Sequence, residues 1–206
     1  MSTDTTIHGS LTSFLDAINE HGIETWREQL LTTQPRPHHT LLAHDMLRVA
    51  AERDWITDLR QLVAAEPRFE MIHANALGKA IIETLDRYKV VSERLRELIE
   101  TCADAQASYK SASLTRNASL RALDDATEEA DHLCGPGIWG SARPPRETRA
   151  ADAAIEAERT LAKRAEELLK LQPEIRALRT ERDYLDKVLA RVPNRYSIKS
   201  TQLATT

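Results

Sequence analysis

The chain is poor in aromatic residues, cysteine and long apolar runs. Aromatic residues make up 4% of its 206 residues, which disfavours a thick core built on large rings. Two cysteines, Cys102 and Cys134, are too few for a disulfide framework. No apolar run approaches the roughly 18 residues that a membrane-spanning helix requires. Because residues 1–10 are also polar and contain no apolar leader segment, we expect a soluble intracellular protein, cytoplasmic by default.

The chain also lacks excess positive charge. Its formal net charge is -4 and its pI is near 6.0. Wholesale binding to nucleic acid needs a positive footprint. The charge balance therefore disfavours a protein whose whole surface follows a nucleic acid.

Glycine and proline are absent from most of the second half of the chain. Residues 79–134 contain neither, and residues 146–192 contain only Pro173. A compact Gly/Pro-rich segment, residues 135–145, separates these two stretches. Two long helix-permissive stretches around one breaker predict a helical hairpin.

Apolar residues in both stretches recur with alternating steps of four and three, the period of a coiled-coil seam. The first seam runs through Val91, Leu95, Leu98, Cys102, Ala105, Tyr109 and Ala112, and resumes with a shifted phase after Arg116. The second seam contains Ala154, Ala157, Leu161, Arg164, Leu168, Leu171, Ile175, Leu178, Arg182, Leu185, Leu189 and Val192. We therefore predict an antiparallel coiled-coil hairpin over residues 86–192, with its turn at residues 135–145. Pro173 lies outside the seam and is expected to kink the helix or start a new one.

The first hundred residues contain three loosely repeated segments that begin near Leu15, Leu47 and Leu77. Each offers a short helix, a turn (at Gly22 in the first) and a second helix that ends in an apolar pair. This period of about 33 residues over residues 10–100 resembles the ankyrin repeat. The resemblance implies a stack of paired helices that binds proteins through an extended surface. A stack of generic helical hairpins is the alternative. The predicted fold class is thus all-α, with a flexible N-terminus at residues 1–9 and a helical-repeat head over residues 10–85.

Histidines and glycines offer weak signals for chemistry. Pro35 and Pro37 predict an extended connector that carries His38 and His39, with Thr40 as the N-cap of the next helix. These histidines with His44, or His132 with Cys134, do not have the two spaced ligand pairs of a readable metal site. The glycines of the 135–145 segment spell Gly-x-Gly-x-x-Gly without the strand that dinucleotide binding needs. We expect no catalytic residues, no cofactor and no metal.

Two segments are candidates for contacts with a partner. Ile138 and Trp139 lie at the predicted hairpin tip, where an indole either covers the helix ends or anchors a partner. Lys187, Arg191, Arg195 and Lys199 make the C-terminal end basic, and residues 193–206 are expected to form a flexible tail. The sequence thus predicts a non-catalytic structural or interaction subunit of a larger protein assembly, a scaffold without a small-molecule substrate. The alternative is a nucleic-acid- or ribosome-associated factor that uses the basic tail on an acidic surface.

Overall fold

The computed structural model describes residues 10–53, 59–134 and 145–192. Helices contain 92% of the residues it describes, with no strand among them, and this confirms the predicted all-α class. The N-terminal segment 1–9, the tail 193–206 and the predicted turn lie outside the described residues, apart from Pro145, which begins a helix.

Within these ranges the chain forms six α-helices and two short 3₁₀ helices. The α-helices are α1 Leu11–His21, α2 Arg27–Thr32, α3 Pro37–Glu52, α4 Leu59–Ala65, α5 Ala74–Cys134 and α6 Pro145–Leu189. The first 3₁₀ helix, Ile23–Trp26, directly precedes α2. The second, Pro67–Met71, lies between α4 and α5.

The turn predicted at Gly22 is confirmed, since α1 ends there. Gly22 has φ 77° and its N–H donates to the carbonyl oxygen of Ile18 at 2.8 Å. A positive φ of this size is accessible to glycine without a steric penalty. At the other end, the Ser10 hydroxyl accepts a hydrogen bond from the Ser13 N–H at 3.3 Å, which caps α1.

The chain divides into two compact units. The first unit contains the described residues of Met1–Glu93 together with those of Arg179–Thr206, and the second contains the described residues of Arg94–Leu178. The boundaries fall inside α5 and α6, so each long helix contributes to both units. The sequence suggested a division near residue 85, and it did not indicate that the end of α6 joins the amino-terminal helices.

The first unit has a large apolar core. It takes buried side chains from α1 to α5, from Val188 and Leu189 at the end of α6, and from Val192 just after α6. The largest fully buried side chains are Phe69, Leu15, Ile18, Ile23, Leu30, Met46, Leu59, Leu62, Leu77, Ile81 and Ile82. Burial of such side chains contributes about 1.5–3 kcal/mol each, so this unit carries most of the hydrophobic stabilisation.

The third repeat-like segment differs from the expectation of a short helix, a turn and a second helix. Helix α5 continues without a break through residues 77–99. The physical reason is the absence of any glycine or proline after Gly78, which leaves nothing to terminate the helix. Gly78 itself lies inside α5, where a Cβ would come within 2.7 Å of both Leu30 methyl carbons and 2.9 Å of the Phe14 ring. The missing side chain lets α5 approach α1 and α2 closely.

The predicted extended connector before α3 is also corrected. Pro37 occupies the first helical position of α3, Arg36 is the N-cap residue, and Thr40 lies inside the helix. The carbonyl oxygen of Arg36 accepts from the N–H groups of His39 and Thr40 at 2.9 and 3.2 Å. Proline has no N–H to lose at the first helical position and its φ already suits a helix, so it starts α3 and does not interrupt it.

In the second unit α5 and α6 pack closely. One apolar cluster contains Leu95, Leu98 and Ile175, with Cys102, Leu171 and Leu178 packed against it. The other fully buried positions among the described residues of this unit are alanines, namely Ala112, Ala126, Ala130, Ala154 and Ala157. The second unit thus buries much less apolar area than the first.

The second seam predicted from the sequence agrees with the burial pattern, since each of its twelve positions is buried or half-buried. In the first seam Tyr109 departs from the pattern, with 37% of its surface exposed. Small buried residues such as Ala112 and Ala157 let the two helices approach closely, which leaves no room for a ring. Helix α6 is continuous through Pro173, so a new helix does not start there. Both Pro173 and Leu169, whose carbonyl oxygen loses its usual donor, are exposed to water.

Candidate functional site

An open groove lies between α5 and α6 in the second unit. Its volume is about 610 Å³. Its charged lining groups are Glu156 and Arg164. Small and hydroxyl-bearing side chains line the rest of it, namely Ser108, Ser111, Ala112, Thr115, Ser119, Ala153, Ala157 and Thr160. A groove so shallow and open does not exclude water from a reacting group.

Large apolar side chains also remain exposed in the second unit. They are Ile99, Tyr109, Leu114, Ile155 and Leu169. Leu114 and Leu169 are the most exposed, at 63% and 68%. Except for Tyr109 they lie outside the two seams, so the packing of α5 on α6 does not cover them. Single exposed apolar side chains are common on folded proteins, whereas a contiguous group of them marks an interaction site.

Arginines of both units form ion pairs with carboxylates. In the second unit, Arg94 binds Glu97 and Glu174, Arg116 binds Glu158, and Arg146 binds Glu129. In the first unit the pairs include Arg27–Glu24, Arg27–Asp86, Arg48–Asp45, Arg53–Glu66, Arg60–Asp16, Arg68–Asp45 and Arg87–Glu181. This pairing neutralises much of the cationic surface of the described residues.

The ion pair of Arg27 with Glu24 and Asp86 links the start of α2 to α5. Arg27 Nη1 and Nη2 donate to the Asp86 carboxylate at 3.0 and 2.9 Å, and its Nε donates to Glu24 at 2.5 Å. Hydrogen bonds from Arg27 lower the pKa of both carboxyl groups, and hydrogen bonds to Glu24 and Asp86 raise the pKa of Arg27. All three groups stay charged at neutral pH, which fits a structural role.

Of the six residues predicted to bind a partner, four lie outside the described residues: Ile138, Trp139, Arg195 and Lys199. Lys187 is exposed near the end of α6. Arg191 is half-buried, and its Nε–H donates to the carbonyl oxygen of Ala50 at 3.2 Å. Ala50 is in the last turn of α3, where carbonyl groups lack helical partners and a cation is favourable. Arg191 therefore stabilises the end of α3.

The first unit also has an open cleft, of about 420 Å³, between α3, α5 and α6. His44, Asp45 and Arg48 of α3 line one side, and Tyr184 and Leu185 of α6 line another. The ionic groups of α3 already have partners, because His44 Nε2 lies 3.1 Å from Glu83 and Arg48 binds Asp45. The cleft has the features of a packing gap between paired side chains.

Three imidazoles meet at the beginnings of α3 and α5. His39 is buried, and its ring stacks on His73 with centroids 4.3 Å apart and planes 14° apart. The His38 ring meets the His39 ring edge-on, with the two centroids 4.1 Å apart. Within the described ranges no three His, Cys, Asp or Glu side chains are placed to hold a metal ion. Sequence reasoning considered His38 and His39 and missed His73, because 34 residues separate His39 from it and no spacing signal connects them.

No protein-family model, curated protein or solved structure matches this chain. None of the helices in the described ranges combines the length and the apolar character that crossing a bilayer requires.

Proposed function

We propose that the protein is a non-catalytic interaction subunit of a larger protein assembly, and that the second unit supplies the contact surface. The observation that carries the proposal is the set of large apolar side chains on α5 and α6 that remain in water, Leu114 and Leu169 above all. Each large apolar side chain covered by a partner contributes about 1.5–3 kcal/mol. A few such contacts at the centre of an interface suffice for specific binding.

The weak core of the second unit supports the same role. Its buried positions are mainly alanines, apart from the cluster around Leu95, Leu98 and Ile175. Two helices alone bury little apolar area, so most helical stability here has to come from further packing. A partner that lies along α5 and α6 would both bind and stabilise the unit.

We infer that α5 and α6 form an antiparallel coiled-coil hairpin. Arg94 of α5 reaches Glu174 of α6, whereas Arg116, further along α5, reaches Glu158, which is earlier in α6. Contacts that advance along one helix and retreat along the other fit antiparallel packing. The burial of the seam positions at steps of three and four supports knobs-into-holes contacts.

For the amino-terminal residues we propose a repeat-like stack of helices with its own docking surface. The pairs α1 with α2 and α3 with α4 have the order that the ankyrin-like spacing predicts. The long continuation of α5 replaces the second helix of a third repeat. A binding role for this stack rests on the resemblance alone.

The pairing of arginines favours a protein partner over nucleic acid. Phosphate binding draws on guanidinium groups that are free to contact the backbone, whereas Arg94 and Arg116 of the second unit lie against carboxylates. The basic tail at residues 193–206, which lies outside the described residues, keeps nucleic acid as the alternative.

The test compares partner capture by the full chain and by two charge variants. Leu114→Glu should reduce recovery of a reproducible co-purifying protein at least about tenfold, since a buried contact of this kind is worth 1.4 kcal/mol or more. Leu41→Glu changes a leucine of the first unit, 71% exposed, so a loss of capture in this variant would place the contact on the amino-terminal stack and not on the second unit. Circular dichroism checks that both variants stay folded. Equal capture by the two variants, or capture that salt and nuclease abolish, would contradict the proposal.

A further inference from the structure

The stack of His38, His39 and His73 has an unusual setting. His39 is 5% exposed, while His38 and His73 are exposed on either side of it. The Nδ1 atom of His39 is buried and has no hydrogen-bond partner among the described residues. A buried polar atom without a partner is costly, and it becomes more so if the ring is charged.

The backbone around the stack also disfavours positive charge. His39 lies in the first turn of α3, which begins directly after the N-cap residue Arg36. The carbonyl oxygen of His73 accepts from the N–H groups of Ala76 and Leu77 at 2.9 and 3.2 Å, so His73 stands at the beginning of α5. The amino ends of helices carry partial positive charge. Two such ends therefore meet at the three imidazoles.

The groups that act electrostatically on His39 are all basic. Burial is the main cause that lowers the pKa of His39, and His38, His73 and Arg36 lower it further. His39 is therefore neutral at neutral pH, and its uncharged ring can stack on His73. A second proton would place a charge in the stack without a counter-ion among these neighbours.

We propose that the three-histidine stack is a pH-sensitive latch that holds the start of α3 against the start of α5. The latch is closed at neutral pH. It weakens as the pH falls below about 6.5, which is the ordinary pKa of a histidine side chain. The two residues on either side of His73 in the sequence, Ile72 and Ala74, are buried.

The sign follows from proton linkage. When the latch is open, His39 binds a proton with its ordinary affinity; when it is closed, the affinity is lower. The open form thus takes up more protons, and stability falls as the pH falls. One such proton increases the opening constant by up to about tenfold per pH unit below 6.5. The effect ends once the pH lies below the pKa of the closed form.

A second contact between α3 and α5 has to be separated from the latch. His44 Nε2 of α3 lies 3.1 Å from a Glu83 carboxylate oxygen of α5. This pair is about half exposed and its contribution is small. A Glu83→Gln background removes it without altering the stack.

The first measurement is an NMR titration of the His39 ring in the full chain. We expect its midpoint clearly below 6.5, and we expect the midpoint to rise in His73→Gln, which removes one basic neighbour from an exposed site. A His39 midpoint at or above 6.5 would overturn the proposal.

The second measurement follows hydrogen exchange of the amides of residues 39–42 and 76–78 between pH 7.5 and 5.5, corrected for intrinsic rates. In the Glu83→Gln background these amides should lose protection about tenfold as the pH falls. His39→Phe keeps an aromatic ring in the stack and should remove the pH dependence. His21→Gln, which changes an exposed histidine at the end of α1, is the matched control and should retain it. The latch would be contradicted if amide protection still depended on pH in His39→Phe. It would also be contradicted if protection did not depend on pH in the His21→Gln control.

Discussion

The two units of this chain use the same two long helices in different ways. In the first unit, α5 and the end of α6 pack against four shorter helices around leucine, isoleucine, methionine and phenylalanine side chains. In the second unit the fully buried positions are mostly alanines, with one cluster around Leu95, Leu98 and Ile175, while exposed large apolar side chains occur in both units. One continuous helix can thus bury large side chains over one part of its length and mostly small ones over another.

The difference has an energetic consequence. Buried apolar area stabilises at about 25 cal/mol per Å², and alanine supplies little of it. We therefore expect the first unit to determine whether the chain folds, and the second to be stable only in part on its own.

The largest expected effect is in the first core. Phe69 has no exposed surface, and the Arg68 guanidinium lies over its ring at 4.5 Å. Phe69→Ala should lower the free energy of unfolding by about 3–5 kcal/mol, because it leaves a cavity in a rigid core. Denaturant unfolding followed by circular dichroism measures the change.

Two controls sharpen this prediction. Met71→Ala removes a side chain that is 69% exposed in the same 3₁₀ helix, and Leu169→Ala removes an exposed leucine from the second unit. Each should change the free energy of unfolding by less than about 0.5 kcal/mol. If Leu169→Ala were as damaging as Phe69→Ala, the contrast between the units would be lost.

An intermediate effect is expected at Gly78, where α5 contacts α1 and α2. In a helix interior alanine is ordinarily better than glycine by about 1 kcal/mol. Here the added Cβ would meet Leu30 at 2.7 Å, so Gly78→Ala should destabilise the protein by about 1–3 kcal/mol.

The double variant Leu30→Val with Gly78→Ala tests the cause of that loss, because it shortens the side chain that the new Cβ meets. Thermal melting should recover part of the stability that Gly78→Ala removes. A stabilising Gly78→Ala would show that the helices are not in close contact there.

A smaller effect is expected at Arg191, which ties the end of α6 to α3 within the first unit. Arg191→Ala removes the hydrogen bond to Ala50 and should cost about 1 kcal/mol. Lys187→Ala changes an exposed residue near the end of α6 and should be neutral within about 0.5 kcal/mol. If Arg191→Ala left stability unchanged and weakened only partner capture, the partner-binding role predicted from sequence would be the better account.

The sequence was sufficient for helix content and for the stripe along α6, because both follow from local rules. The absence of Gly and Pro allows long helices, and steps of three and four mark the buried side. Gly22 was recognisable as a helix end because glycine readily adopts the positive φ that ends many helices.

Contacts between distant segments were not predictable. Leu189 and Val192 continue the heptad pattern, and nothing in that pattern indicates that they leave the α5–α6 seam to join the core of the first unit. Pro37 was interpreted as a break, although proline at the first helical position favours a helix. His73 joins His39 only through the tertiary packing of α3 on α5.

Native-state hydrogen exchange on the free chain tests the central claim most directly, because it measures local stability along α5 and α6 in one experiment. We predict that amides of residues 77–85 exchange only through global unfolding, while those of residues 112–126 and 154–161 exchange at least about 100-fold faster. Equal protection along both helices would contradict the account, because the second unit would then be a fully stabilised structure with no need of a partner.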